Sequence, residues 1–103
     1  MRTIRENRVE KYTAMAKLIA DMYGVNWLDI TANNRETLFY NVRLIIFREL
    51  QNMGVKNDMI AEILNRKENT LTAWGYDIYH KMKDKEFMKL YEIIKKKTDH
   101  ERI

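Results

Sequence analysis

The chain has no cysteine and no proline, and only three glycines among its 103 residues. Without cysteine there is no disulfide framework, thiolate nucleophile or thiolate metal site, and a cytoplasmic location is the natural expectation. So few breakers favour helices joined by short connections over a turn-rich β architecture. Long apolar runs are missing too: the longest, Leu44 to Phe47, is far too short to cross a bilayer, and the opening MRTIRENRVEKY lacks the apolar stretch of a secretory signal. The expectation is a soluble, unexported protein without membrane contact.

Catalytic patterns are equally scarce. His80 and His100 show no metal-ligand spacing, and no Gly-rich phosphate loop, nucleophile elbow or kinase signature occurs. Carboxylates at helical spacing, such as Asp58 and Glu62, read as surface groups rather than a general acid and base. No enzymatic activity, cofactor, metal or small-molecule substrate is expected.

With 46% hydrophobic residues and no low-complexity tract, the chain can bury one core and is expected to form a single domain over residues 1–103. The net charge of +4 permits an anionic partner without demanding one. Its distribution matters more: residues 1–20 carry five basic and two acidic side chains, residues 81–103 eight and five, and residues 21–80 six and eight. The middle of the chain is its least basic part.

Periodicity predicts an all-α, five-helix bundle. Val9, Tyr12, Met15, Ala16, Ile19 and Tyr23 form one stripe of a first helix from about Ile4 to Met22, stopped by Gly24. Residues 25–34 read as a loop or short helical turn whose Trp27, Leu28 and Ile30 plug one end of the core. Asn33 followed by Glu36 resembles a capping box, so a core helix is expected from about Arg35 to Met53, with Gly54 as its stop. Asp84 is expected to cap a last helix that frays in the charged tail.

Between these lies the stretch the chain is organised around, NDMIAEILNRKENTLTAWGYDIYHK, residues 57–81. Asn57 would cap a helix that buries Ile60, Ala61 and Leu64. The run Asn65 to Asn69 breaks the pattern, and Leu71, Ile78 and Met82 resume it. Helix, tight turn and helix make a helix-turn-helix, whose second helix presents its leading end to the major groove. Trp74 is assigned to the core, Tyr76 to the exposed side, and Gly75 to a place where another helix approaches closely.

The order of elements from about Val9 to Ile94 resembles the C-terminal DNA-binding domain of the bacterial replication initiator DnaA, related to the Trp repressor type of helix-turn-helix. The likeness rests on Tyr23-Gly24-Val25 with Asp29-Ile30, on Arg48-Glu49-Leu50, on Ile60 to Leu64, and on the turn Asn65 to Leu71. In the turn, Arg66, Thr70 and Leu71 match the family's Gly-Arg-Asp-His-Thr-Thr-Val by type. Lys67, Glu68 and Asn69 depart from it, so the resemblance implies a duplex-reading helix without implying the initiator's target. The family's basic loop is represented by Arg35 alone. Since neither a P-loop nor an ATPase domain accompanies the match, a small regulator or a phage or mobile-element protein is the expectation.

Two functions follow. In the first, the chain binds double-stranded DNA: Asn69 contacts adenine, Thr70 and Thr72 contact phosphate or a thymine methyl, and Ala73 and Tyr76 share that face. Arg66 and Lys67 hold the backbone, helped by Arg35, Arg43 and Lys56. A homodimer with reading helices about 34–36 Å apart would span successive major grooves. In the second, the scaffold is a protein-interaction or homodimerisation module without DNA binding, which Glu68 and Asp77 favour because each repels phosphate.

Overall fold

The structure is a computed structural model that describes the backbone of residues 3–101 and the side chains of residues 3–96. Among the described residues there is no strand, and six helices follow one another: α1 Ile4–Met22, α2 Trp27–Thr31, α3 Thr37–Asn52, α4 Asn57–Ile63, α5 Glu68–Lys81 and α6 Lys85–Glu101. The expected all-α class is present with one helix more than expected. The addition is α2, in the segment read as a loop or short turn. Its N-cap Asn26 accepts a hydrogen bond from the Leu28 amide, which is enough to start a single helical turn.

Three of the connections are the same corner. After α1, α3 and α4 the chain places Gly24, Gly54 and Asn65 at φ of 68°, 85° and 56°. The following amides, of Val25, Val55 and Arg66, donate back to the carbonyls of Ala20, Leu50 and Ala61 at 3.1, 3.0 and 2.8 Å. This is the Schellman closure, which satisfies carbonyls that a helix end would leave open. Each corner restarts a helix three residues after its left-handed residue. At the first two the residue behind the left-handed position is a buried valine, and at the third it is Arg66.

α3 is the axis of the core. From Val42 to Phe47 every residue is buried, so this helix is covered on nearly all sides, by α1, α2, α4 and α5. Trp74 from α5 stands edge-on to Phe47 and to Tyr40, with ring centroids 6.0 and 6.4 Å apart. Its assignment to the core therefore holds. α6 docks through Phe87, Tyr91 and Ile94, and the Tyr23 hydroxyl ties α1 to it by donating to the Leu90 carbonyl at 2.7 Å.

Local expectations fail at four places. α3 begins at Thr37 rather than Arg35, because Asn34 and not Asn33 accepts the turn-forming bond, from the Glu36 amide. Arg35 consequently precedes the helix. Asn57 does not cap α4: Lys56 holds that position, and the Asn57 side-chain Oδ1 accepts from Gln51 Nε2 at 3.1 Å. Leu28 plugs nothing, being 71% exposed, while Ile30 one turn face away is fully buried. The last helix continues to Glu101 instead of fraying through the tail, with residues 102–103 and the His100 side chain outside the described residues. Its start is as expected, with the Asp84 carboxylate accepting from the Glu86 and Phe87 amides.

Candidate functional site

The site begins with two arginines that converge on the end of α2, Arg43 from α3 and Arg66 from the corner between α4 and α5. α2 is a single turn, so its last carbonyls have no helical partners of their own. Arg43, on α3, donates Nε to the Ile30 carbonyl at 2.8 Å and Nη2 to those of Asp29 and Ala32 at 2.8 and 3.1 Å. Arg66, in the corner between α4 and α5, reaches the same end from the opposite side. It donates Nη1 to the Thr31 carbonyl at 3.1 Å and Nη2 to those of Ala32 and Ile30 at 2.5 and 3.4 Å. Asn65 Nδ2 adds a bond to Thr31 at 3.2 Å. Two cations at one helix C-terminus suit its dipole. Burial pushes both guanidiniums below their ordinary pKa, and repulsion from Arg66 lowers Arg43 further.

Two expected phosphate contacts are thereby corrected. Arg43 is only 4% exposed, and its Nε and Nη2 donate to backbone carbonyls. Arg66 is half-buried, and a phosphate would have to displace at least five carbonyl contacts to claim its guanidinium. Both guanidiniums are engaged in fastening the end of α2. The bonds to Thr31 and Ala32 also set the start of the 32–36 connection, which carries exposed Arg35, against the corner that precedes α5.

α5 starts at Glu68 behind its N-cap Lys67, so Asn69 already lies in the first turn rather than in the break before it. Asn69, Thr72, Ala73 and Tyr76 are exposed and Thr70 is half-buried. They sit opposite the face that buries Leu71, Trp74 and Ile78, which is why the alternation of three and four leaves them outward. Lys56, Lys67 and Arg35 are exposed, and their side chains make no hydrogen bond or ion pair with any described residue. No side chain caps the N-terminus of α5, in contrast to α1, where Thr3 accepts from Glu6.

Acidic groups near this surface are partly spoken for. Asp77 accepts a short hydrogen bond from the Tyr40 hydroxyl, which fastens α5 to α3. Burial and then Asp77 raise the Tyr40 phenol far above its ordinary pKa. Lys81 donates to Asn41 Oδ1 at 2.8 Å alongside. Glu62 pairs with Arg5 at 2.7 Å, a surface contact that ties α1 to α4. Glu68 alone stands exposed and unpartnered in the leading turn of α5.

The structure thus brings Lys67, Asn69, Thr72, Ala73 and Tyr76 to one exposed end and side of α5, with Thr70 turned partly inward. Lys56 lies at the other end of α4. Sequence reasoning passed over Tyr79 and Lys83 and gave His80 no part in this face; Tyr79 and His80 are exposed on α5 and Lys83 in the turn after it, with Lys83 Nζ 4.5 Å from the Tyr79 ring centroid. Their spacing of three, four and seven residues from Tyr76 was the available signal. Among the described residues no group of His, Cys, Asp and Glu is placed to hold a metal, and no helix is long and apolar enough to cross a membrane. No protein-family model, curated protein or solved structure matches the chain.

Proposed function

We propose that the chain binds double-stranded DNA through a helix-turn-helix made of α4, the corner 64–67 and α5. The observation that carries this reading is the leading end of α5. Asn69, Thr72, Ala73 and Tyr76 are exposed, with no described segment packed over them, and unpartnered Lys67 stands immediately before them. Asn69 has the donor and acceptor pair that fits the major-groove edge of adenine, Thr72 and Ala73 suit a thymine methyl, and Tyr76 extends the same face. The open amides at the start of α5, together with Lys67, favour phosphate. Lys56 and Arg35 supply further sequence-independent contacts.

Only three of the proposed cations are free, so affinity is modest and strongly salt-dependent. With about three phosphates neutralised, log affinity falls with log salt at a slope of roughly −3. The test is a fluorescence-anisotropy salt titration on random duplex. Lys67→Ala should weaken binding on all sequences and reduce the slope by about 1, whereas Asn69→Ala should relax sequence preference with the slope retained. A chain that binds no duplex at low salt overturns the reading.

A further inference from the structure

Glu68, Thr72, Gly75, Tyr76, Tyr79 and Lys83 recur at intervals that place them in one stripe of α5 and the turn after it. This stripe is turned to one side of the reading face and shares Thr72 and Tyr76 with it. Tyr76 and Tyr79 are 71% and 63% exposed, and with Thr72, Gly75 and His80 they line a mainly apolar groove. The close helix approach expected at Gly75 is not made by any described segment of its own chain. Its φ is an ordinary helical one, and a Cβ built on it would meet nothing within 4 Å. Glycine inside a helix is less favourable than alanine, and what it offers in return is close approach by something else.

We infer that this stripe is an interface between two copies of the chain, whose α5 helices cross antiparallel about a two-fold axis lying between Gly75 and Tyr76. That axis sets Gly75 opposite the other copy's Tyr76, Thr72 opposite Tyr79, and Glu68 opposite Lys83, and each pairing occurs twice. A ring meets a notch, a hydroxyl meets a phenol, and the unpartnered carboxylate in the first turn of α5 meets an ammonium already held over the stripe at the Tyr79 ring. Moving the axis onto Gly75 itself would set Lys83 against Lys67 and Tyr79 against the buried Leu71. Charge complementarity therefore selects one register, and it selects a second copy of this chain as the occupant. A single helix pair of this length buries less than the ~1,200 Å² usual for stable complexes, so the association is reversible and concentration-dependent.

Sedimentation equilibrium of the full chain without DNA, from micromolar to millimolar, tests this directly. A monomer–dimer equilibrium is expected. Lys83→Glu should weaken it roughly tenfold by removing two ion pairs and opposing like charges, and Lys83→Glu combined with Glu68→Lys should restore it. Gly75→Leu fills the notch and should abolish the dimer while circular dichroism shows an undiminished melting temperature, since the added side chain points into open space. A chain that stays monomeric throughout, a dimer indifferent to Gly75→Leu and Lys83→Glu, or a double charge exchange no stronger than the single one would each overturn the inference. None of these outcomes depends on whether the chain binds DNA.

Discussion

Arg43 and Lys67 show how differently two cations of one small chain can be employed. Arg43 gives its hydrogen bonds to the end of α2 in a buried place, so replacing it by Met leaves carbonyls unsatisfied and should cost about 2–3 kcal/mol in urea unfolding. Lys67 is exposed and unpartnered, and Lys67→Ala should leave the urea midpoint where it was while changing the salt titration. The two side chains look alike in a charge count, and only the structure separates them. Asn65 holds a left-handed backbone at φ 56° and donates to Thr31, so Asn65→Ala should lose about 1 kcal/mol or somewhat more. Tyrosines set the alkaline limit. Burial and the Glu49 carboxylate push the Tyr23 phenol up from 10.0 to about 12. A phenol whose folded pKa is raised contributes stability that is complete below pH ~10 and is lost as pH rises through ~12. Unfolding free energy should hold level to about pH 9 and decline above 10, and Tyr23→Phe should make that decline shallower.

At the scale of elements, the sequence was most legible where an apolar stripe ran long. α1 appears with the bounds its periodicity predicts, and α5 buries Leu71, Trp74 and Ile78 as expected. The helix starts were harder, because several residues near each junction could serve as the cap. Asn33 was read as the cap of α3, where Glu36 holds that position, and Asn57 as the cap of α4, where Lys56 does, and the outcome depends on where the preceding connection lets the chain emerge. α2 was hidden because a five-residue helix has no period to read. The two arginines were misread for another reason: a guanidinium sought by backbone carbonyls from a distant helix leaves no mark in local sequence. Gly75 belongs to this scale as well. Gly75→Ala should stabilise α5 by about 1 kcal/mol, raising the melting temperature of the dilute chain by roughly 4–8 °C. A fall instead would mean that the position is strained in a way its open surroundings do not suggest.

For the whole molecule, the two proposed uses of α5 compete. In the antiparallel pair the reading helices touch, far from the ~34 Å separation that would let a dimer span successive major grooves. Thr72 and Tyr76 would be enclosed between the copies. Apparent affinity for duplex should therefore fall as protein concentration passes through the range where dimers form, and Lys83→Glu, being weaker in association, should shift that fall to higher concentration. Anisotropy measured at fixed DNA and rising protein would show it, and an affinity that rises with dimerisation would contradict competition.

The three Schellman corners impose a further condition on how this architecture can be altered. Each allows two residues between its left-handed position and the first residue of the next helix, with the first of their amides already bonded back. An extra residue at 54–56 or 65–67 would rotate the following helix and turn its apolar stripe out of the core. The 33–35 segment obeys no such rule, since the clamp fastens the chain up to Ala32 and α3 begins only at Thr37. Length grafted at Asn33, ahead of the bond from the Glu36 amide to Asn34, lies beside the leading end of α5 and leaves all three Schellman corners as they are, which makes it the natural place to engineer a longer arm.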